Sequence, residues 1–565
     1  MSLPIIALFT GLVLIVAYRT YGSVLARLLR LSDANITPAV AMRDDNDFLP
    51  IEPKFLLGQH FSAIAAAGPI VGPIIAGLMF GWGPALVWII LGSILIGGVH
   101  DFTALVASIR HRARTIPEVV REHVSPRAFV LFLVFIWLTL VYIIVAFTDI
   151  TSAAFVGSQA LENGQVVKGG GIATSSLLYL LLPVAMGLLL RFTKLSLSAA
   201  TVIFVPLVIG AIWVGQMIPM DVEGWLNLSG PDAQKVWDVV ILGYCVLAAV
   251  APMWLLLQPR GHLGGYFLYF FLIVGGLGML FGGRPIEYPA FLGWTSEKGD
   301  TLAPILFITI ACGAVSGFHA LIASGTTSKQ LARESQAKIV GYGTMLMEAG
   351  VAVLALSCVM VLAKGDPLVG QSPNLVFAFG IGSILEKVGI PAVLAISLML
   401  MAFTTFVYDT LDVCTRLGRY IVQELTGWQD RKGAWIGTML TAGVPLFFVM
   451  QKSLDAAGKP IPAWRTFWSL FGASNQLLAA LTLLGITVWL LRTRQARWPL
   501  LVTGIPAVFM YGMSCWALVG LVTKAQVAAV AWVGVVLLGL AAWMAVEAVL
   551  AIFRPARIEP LSATP

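Results

Sequence analysis

A run of small and polar residues, CGAVSGFHALIASGTTSK, lies inside an apolar segment at positions 312–329. Cys312, Ser316 and His319 are spaced i, i+4 and i+7, so a helix through this run would place them on one face. Polar groups at mid-depth in a hydrocarbon are costly, and they usually face a bundle interior or a wet cavity. The run therefore predicts a substrate- or ion-binding site. Tight helix packing alone is the alternative, since two of its glycines form a G-x-x-x-G pair.

Other ionisable side chains inside apolar segments are candidates for moving charge across a membrane, because an unpaired charge there is expensive. His319 and Glu348 lie in consecutive segments and are the first candidates to couple transport to an ion, with Asp149 as a third; histidine also titrates near neutral pH. The secondary candidates are His60, Asp101 and Asp412.

Each secondary candidate has a structural alternative. His60 could cap a helix, Asp101 could anchor the membrane interface together with His100, and Asp412 could form an i, i+4 surface pair with Arg416. No arginine stands deep in a predicted span.

The composition is that of a membrane protein. The chain has 565 residues, is 59% hydrophobic and only 11% charged, with a mean hydropathy of +0.91. We therefore predict an all-α, polytopic integral membrane protein of about 15 transmembrane helices embedded in a lipid bilayer. The predicted spans are 3–23, 59–79, 84–109, 127–157, 173–191, 196–216, 236–257, 264–281, 301–323, 338–362, 390–409, 433–450, 466–490, 498–521 and 526–551. Residues 372–385 are too short to span and are typical of a re-entrant or surface helix.

Charge predicts the orientation of these helices. The formal net charge is +7, but the basic residues stand in separate loops, which excludes a nucleic-acid patch. Four basic loops, including Arg110–Arg127, fall on one side of the predicted topology, and the acidic loop 217–235 falls on the other. The positive-inside rule then places the N-terminus outside and the C-terminal Arg554 and Arg557 in the cytoplasm.

Two spans carry a similar interruption at mid-membrane. Ala67 and Gly68 precede Pro69 in a span that runs outward, and Ala248 precedes Pro252 in a span that runs inward. Paired interruptions in inverted halves are a pointer to a transporter binding site, because half-helix ends can hold ions and carboxylates. Ala67, Gly68 and Ala248 are therefore candidate binding positions. Ordinary proline kinks are the alternative.

Longer stretches resemble a known family, the carbon starvation protein A family of membrane transporters. The motifs that carry the resemblance are GQHFSAIAAAGPIVGPIIAG at 58–77, GGVHDF at 97–102, APMWLLLQPR at 251–260, FITIACGAVSGFHALIASGTTSKQLA at 307–332, GYGTMLME at 341–348, LDVCTRLGRY at 411–420 and FWSLFGASNQLLAALTLL at 467–484. The family is similar to the amino-acid/polyamine/organocation transporters, which implies a LeuT-type inverted repeat of five helices. Two positions depart from the family pattern: Gln59 stands where relatives often have histidine, and Asp409 where they commonly have a neutral residue.

The resemblance implies the following division. Residues 1–58 hold the first transmembrane helix and a cytoplasmic linker, 59–216 the first repeat, 236–409 the second, inverted repeat, 433–551 additional helices, and 552–565 a cytoplasmic tail. It also implies uptake of pyruvate or short peptides across the cytoplasmic (inner) membrane of carbon-starved bacteria.

We therefore expect a secondary active transporter, not an enzyme, since the chain has no P-loop. No metal or cofactor is expected beyond a coupling proton or Na⁺, and none of the five cysteines has metal-ligand spacing. A passive channel and an intramembrane serine hydrolase that uses Ser316 remain alternatives. The choice between pyruvate and peptide and the oligomeric state stay open.

Overall fold

The computed structural model describes residues 2–44, 48–161, 165–451, 453–454, 460–494, 496–525 and 527–553. Within these residues the chain is a bundle of helices, as expected for a backbone that must satisfy its own hydrogen bonds in lipid. Arg554 and Arg557, used above to orient the C-terminus, lie outside the described residues.

Eleven helices precede residue 218 in the described part of the chain. They are Leu3–Arg19 (α1), Tyr21–Leu28 (α2), Pro38–Ala41 (α3), Pro53–Ile64 (α4), Gly68–Phe80 (α5), Trp82–Gly92 (α6), Gly98–Arg110 (α7), Ile116–His123 (α8), Pro126–Ser152 (α9), Gly169–Phe192 (α10) and Leu197–Met217 (α11). A π-helical turn, Ser93–Gly97, joins α6 to α7. A short antiparallel hairpin follows α9, with strands Ser158–Ala160 (β1) and Val166–Lys168 (β2).

The rest of the described chain adds twelve helices. They are Val222–Leu226 (α12), Gly230–Val250 (α13), Leu257–Phe281 (α14), Leu302–Thr309 (α15), Phe318–Gly325 (α16), Thr344–Met360 (α17), Pro373–Lys387 (α18), Ala392–Thr426 (α19), Arg431–Met450 (α20), Ala463–Arg494 (α21), Ile505–Lys524 (α22) and Ala528–Phe553 (α23). π-helical turns at Lys338–Gly343 and Leu500–Gly504 lead into α17 and α22. A second hairpin pairs Ser453–Leu454 (β3) with Pro460–Ile461 (β4).

Local sequence begins the long spans. Ser125 precedes α9 and its hydroxyl accepts a hydrogen bond from the backbone N–H of Ala128 at 3.0 Å. Asp430 does the same for α20, accepting from Gly433 N–H at 2.8 Å. Such caps satisfy a donor that the first turn of a helix leaves free, so the chain marks where these spans start.

Thirteen of the described helical stretches are long and apolar enough to cross a membrane. The most apolar windows of Glu334–Met360, which contains α17, and of Ala463–Thr493 in α21 are each 89% buried, whereas those of Leu500–Lys524, which contains α22, and of α23 are 33% buried. The outer helices instead expose large apolar side chains such as Trp532 and Phe281. The core thus lies around α17 and α21, and the outer surface is one that only lipid would cover.

The two remaining predicted spans are interrupted. In the first, α4 and α5 meet at an angle of 47°, which confirms the break predicted at Ala67 and Gly68. In the second, α15 and α16 are separated by residues 310–317, which are not helical. The single helix predicted for 301–323 is therefore wrong, and with it the shared helical face of Cys312, Ser316 and His319.

The break predicted from Ala248 to Pro252 lies at the end of a span and not within one, as the prediction required. Helix α13 continues through Ala248 and ends at Val250, and Pro252 stands in the link to α14. Proline lacks a backbone donor and closes helices, but here it closes a complete span. The pair of interruptions is thus 65–67 and 310–317, so a second repeat beginning at 236 does not start with a broken helix. The boundaries 59–216 and 236–409 stay predictions.

Candidate functional site

The two interruptions, at 65–67 and 310–317, lie across each other and are in direct contact. A Cβ added to Gly68, at the start of α5, would overlap the side chain of Cys312 in the opposite interruption. A Cβ at Gly313 would lie 3.6 Å from the Cα of Pro69 and 2.7 Å from the Cβ of Ala352 on α17. Glycine at these points lets three backbones approach as closely as they do. The junction brings together three predicted binding positions: Ala67, Gly68 and Cys312.

Asn475 on α21 holds the second interruption in place. Its side-chain oxygen accepts from the backbone N–H of Phe318, the first residue of α16, at 2.9 Å. Its side-chain nitrogen lies 3.0 Å from the Ser316 hydroxyl and 3.5 Å from the Cys312 sulfur. Its backbone carbonyl accepts from Gly317 N–H at 3.1 Å. One residue from a distant span therefore supplies hydrogen bonds to a segment that lacks those of a continuous helix.

Ser316 and His319 do not form a nucleophile–base pair in this arrangement. The hydrogen bonds of the Ser316 hydroxyl go to Asn475, and the ring of His319 binds carboxylates on other helices. Nucleophilic catalysis by serine requires a base within hydrogen-bond reach. The geometry gives no support to the hydrolase alternative.

His319 bridges two buried carboxylates. Its Nδ1 lies 2.8 Å from Asp101 Oδ2 on α7, and its Nε2 lies 3.3 Å from Glu348 Oε2 on α17. Asp101 also binds His100, whose Nδ1 lies 2.7 Å from Asp101 Oδ1. All four side chains are completely buried, so Asp101 and His100 do not anchor a membrane interface. His319 and Glu348 meet, which the sequence left open.

The hydrogen-bond donors and acceptors of this cluster determine how many protons it holds. Asp101 accepts from the Nδ1–H groups of both histidines, which leaves Nε2 of a neutral His319 as an acceptor. Neither carboxylate oxygen of Glu348 has a hydrogen-bond partner among the described residues. An ionised Glu348 facing a neutral His319 would place two acceptors against each other at 3.3 Å. The buried pair therefore needs one proton, held by either the imidazole or the carboxyl group.

A second buried ion cluster was missed by the sequence analysis. Arg260, at the start of α14, is completely buried and forms ion pairs with Asp409 and Asp412 on α19. Ser62 donates to Asp409 at 2.5 Å, and Tyr244 donates to Asp412 at 2.8 Å. Arg260 is thus a buried arginine in the first turn of a span, whereas the sequence places it between two predicted spans. Arg260 closes the motif APMWLLLQPR and Asp409 departs from the family pattern, so the sequence shows both residues of the pair but not their contact.

The surface pair expected between Asp412 and Arg416 is likewise absent. Asp412 is buried against Arg260, and Arg416 donates to the backbone carbonyls of Ala248 at 2.7 Å and Ala251 at 2.6 Å. Ala248 lies in the last turn of α13 and Ala251 directly follows that helix, and a cation is favourable at the carboxyl end of a helix. Ala248 therefore contacts an arginine and does not take part in the junction around Gly68.

His60 and Asp149 form their hydrogen bonds with residues outside the cluster of His319, Asp101 and Glu348. Nδ1 of His60 lies 2.8 Å from the Thr327 hydroxyl, and its side chain lines a cavity of about 30 Å³ together with Asp409; it does not cap a helix. Asp149 accepts from Trp464 N–H at 2.9 Å and from Gln234 at 3.1 Å. Asp149 thus belongs to a polar cluster between α9, α13 and α21, apart from His319.

A larger cavity, of about 420 Å³, lies elsewhere. It is lined by α15, α21, α22 and α23 and includes the charged residues Asp300, Arg465 and Lys524. It touches none of the residues of the His319 cluster. We place the candidate site at the crossing of the interruptions, because His100, His319 and Glu348 there carry buried polar atoms without a hydrogen-bond partner, whereas none of the described residues lining the larger cavity does.

Comparisons with known proteins agree with this transport architecture. The family model described as carbon starvation protein CstA matches residues 3–374 and 367–517. The chain is 31% identical to the peptide transporter CstA of Helicobacter pylori, over 88% of this chain and 79% of that protein. It is 29% identical to the pyruvate/proton symporter BtsT of Escherichia coli, over 90% of this chain and 80% of that protein.

Among solved structures, a mutant manganese transporter of Eremococcus coleocola is similar with a TM-score of 0.45 and 14% identity, covering 90% of this chain and 98% of that one. With its spans, its two crossed interruptions and the match of the family model along nearly its whole length, the chain belongs to the carbon starvation protein CstA family of membrane transporters.

Proposed function

We propose that the protein is a proton-coupled secondary transporter that takes up a small carboxylate nutrient, either pyruvate or a short peptide. The observation that carries this proposal is His319, fully buried between Asp101 and Glu348 beside two interrupted spans. The relatives are named as a peptide transporter and a pyruvate/proton symporter, which supports the two substrate classes.

The shared proton gives a physical basis for coupling. While the cluster is buried, the His319–Glu348 pair retains one proton, because losing it would leave a carboxylate and an imidazole lone pair facing each other. When the site opens to either side, water can hydrate Glu348 and the proton can leave. The substrate-loaded carrier then moves inward with this proton, and the empty carrier returns without it, with Glu348 ionised and hydrated, so that each cycle carries one proton inward.

A half-helix end is the proposed partner of the substrate carboxylate. Arg260 is already paired with Asp409 and Asp412, so its charge is not free for a substrate anion. The amino end of α5 begins at Gly68 in the junction, and a helix amino terminus favours anions. The N-terminus of α16 is less available, since Asn475 already accepts from Phe318 N–H.

Uptake into proteoliposomes tests the proposal. We expect labelled pyruvate or a labelled dipeptide to accumulate when the outside is acidic, and a protonophore to abolish that accumulation. Glu348→Gln should abolish accumulation driven by the pH gradient while part of the counterflow at equal pH remains, because binding does not require the proton to move. Glu424→Gln, at the end of α19, is the matched control and should behave like the unmodified protein.

Three outcomes would reject this proposal. Uptake that follows a Na⁺ gradient and ignores pH would identify Na⁺ as the coupling ion. Passive equilibration that a protonophore does not change would indicate a channel. Normal accumulation by both Glu348→Gln and His319→Ala would show that the buried pair serves packing only.

A further inference from the structure

A cluster of metal-binding side chains lies outside the site described above. His111 follows the last residue of α7, while Glu122 and His123 end the short helix α8. The ligand atoms of these three residues lie within 4.8 Å of one another. His111 Nε2 and His123 Nε2 are 2.8 Å apart, and His123 Nε2 is 3.7 Å from Glu122 Oε1.

We propose that His111, Glu122 and His123 form a binding site for one transition-metal dication such as Zn²⁺. Two imidazole nitrogens and one carboxylate oxygen match the donors that Zn²⁺ uses when it keeps a further position for water. Nothing in the sequence predicted it, because the two histidines are separated by a loop and a helix and fit no standard ligand spacing.

The orientation of His111 supports the assignment. Its Nδ1 lies 2.6 Å from the backbone carbonyl of Ala107, so Nδ1–H donates and Nε2 keeps its lone pair. Such a hydrogen bond to a carbonyl is the usual partner of a metal-binding imidazole, where it fixes tautomer and ring orientation. The lone pair of His111 therefore faces His123.

The distances require only a small adjustment. Two nitrogens on a tetrahedral Zn²⁺ with bonds of 2.0–2.1 Å are separated by about 3.3 Å, so the rings would move apart by about 0.5 Å. Glu122 is on the open side, with 43% of its side chain exposed, against 13% for His123. A dication can thus enter from that side.

The neighbouring charges set the expected strength of binding. Arg110 is engaged by Glu334 at 2.9 Å, whereas Arg114 lies 3.7 Å from Glu122 Oε2 and would have to release it. Because Glu122 must release Arg114, we expect weaker binding than at a site without such a competing cation. The bound metal would link the end of α7, the helix of Asp101, to α8. Both histidine rings also pack against Trp489 of α21, so the metal site would lie against that helix as well.

Metal titration of the full-length, tag-free protein in detergent tests the site. Zn²⁺ added to chelator-treated protein should bind at one ion per chain by calorimetry and elemental analysis. His111→Ala and His123→Ala should each weaken binding at least tenfold. His262→Ala removes a histidine that bonds instead to Thr201 and should leave binding unchanged.

Co²⁺ in place of Zn²⁺ reports the ligands directly. We expect weak visible bands typical of nitrogen and oxygen donors. A strong thiolate-to-cobalt band would assign the metal to cysteine and overturn the proposal. Absence of saturable binding, or binding that persists in the His123→Ala variant, would also overturn the proposal. If a histidine variant fails to fold, Glu122→Gln, at an exposed position, gives an independent reading and should weaken binding severalfold.

Discussion

Gly313 offers a test of the crossing between the two interruptions. A methyl group at this position would stand 2.7 Å from the Cβ of Ala352 on α17, while its other close neighbours, Ile310 and Pro69, would be at 3.6 Å. Gly313→Ala should therefore force the unwound segment away from α17. The reciprocal change, Ala352→Gly, removes the methyl group that it would strike.

The size of the effect follows from the distance. Carbon atoms prefer a separation of about 3.5–4.0 Å, so the segment and α17 would have to separate by roughly 1 Å. Overpacking of this kind costs about 1–3 kcal/mol. Ala352→Gly alone should cost about 1 kcal/mol through helix propensity. In the double variant the steric term disappears, and we expect a favourable coupling between the sites of about 0.5–3 kcal/mol.

Thermal unfolding in detergent and uptake into proteoliposomes measure these effects. Gly313→Ala should lower both the melting temperature and the uptake rate, since Ala352 lies one turn beyond Glu348 on α17. The swap Gly313→Ala with Ala352→Gly should recover most of both. Wild-type behaviour of Gly313→Ala, or a double variant no better than the single one, would refute the close crossing.

Three further predictions concern other features. Arg260→Gln leaves two buried carboxylates without their cation, so it should destabilise the protein by about 3–5 kcal/mol in thermal unfolding; Asp409→Asn keeps the pair with Asp412 and should cost less, and equal losses would contradict the ion-pair account. Asn475→Ala strands the N–H of Phe318 and should cost about 1–3 kcal/mol, measured in the same way, with no change counting against its capping role. Cysteine at Arg114 should resist a membrane-impermeant thiol reagent in intact cells, whereas cysteine at Lys298 should react; the reverse pattern would invert the predicted topology.

Composition and the pattern of apolar residues sufficed to predict the parts of the fold that depend on contact with the bilayer. Apolar runs located the spans because each must match the thickness of a bilayer, and the Ala-Ala-Gly-Pro sequence around Gly68 located one interruption. The second interruption was placed at Ala248 because proline marks the end of a helix as readily as a break within it. At 310–317 the determining contact, Asn475, is far away in the sequence.

The candidate site likewise combines residues that local sequence reveals with contacts that only the packing of distant helices creates. His319 and Glu348 stood out because each is ionisable in an apolar segment, but their contact depends on how α16 packs against α17. Arg260 looked like the edge of a loop, since Pro259 and the start of α14 precede a long apolar run. Its burial follows from two aspartates on α19, and no local pattern reports such a partner.

The π-helical turn at Ser93–Gly97 sets the phase of the helix that follows it. Each residue of an α-helix advances the chain by about 100°, so shortening this turn by one residue would rotate every later side chain of α7 by that angle. Asp101, only four residues beyond the turn, would swing away from His319. The turn is also held from outside, because Tyr342 donates to the carbonyl of Ile94 at 3.2 Å. The number of residues between Trp82 and Asp101 is thus as strict a requirement for the contact of Asp101 with His319 as the identity of Asp101 itself.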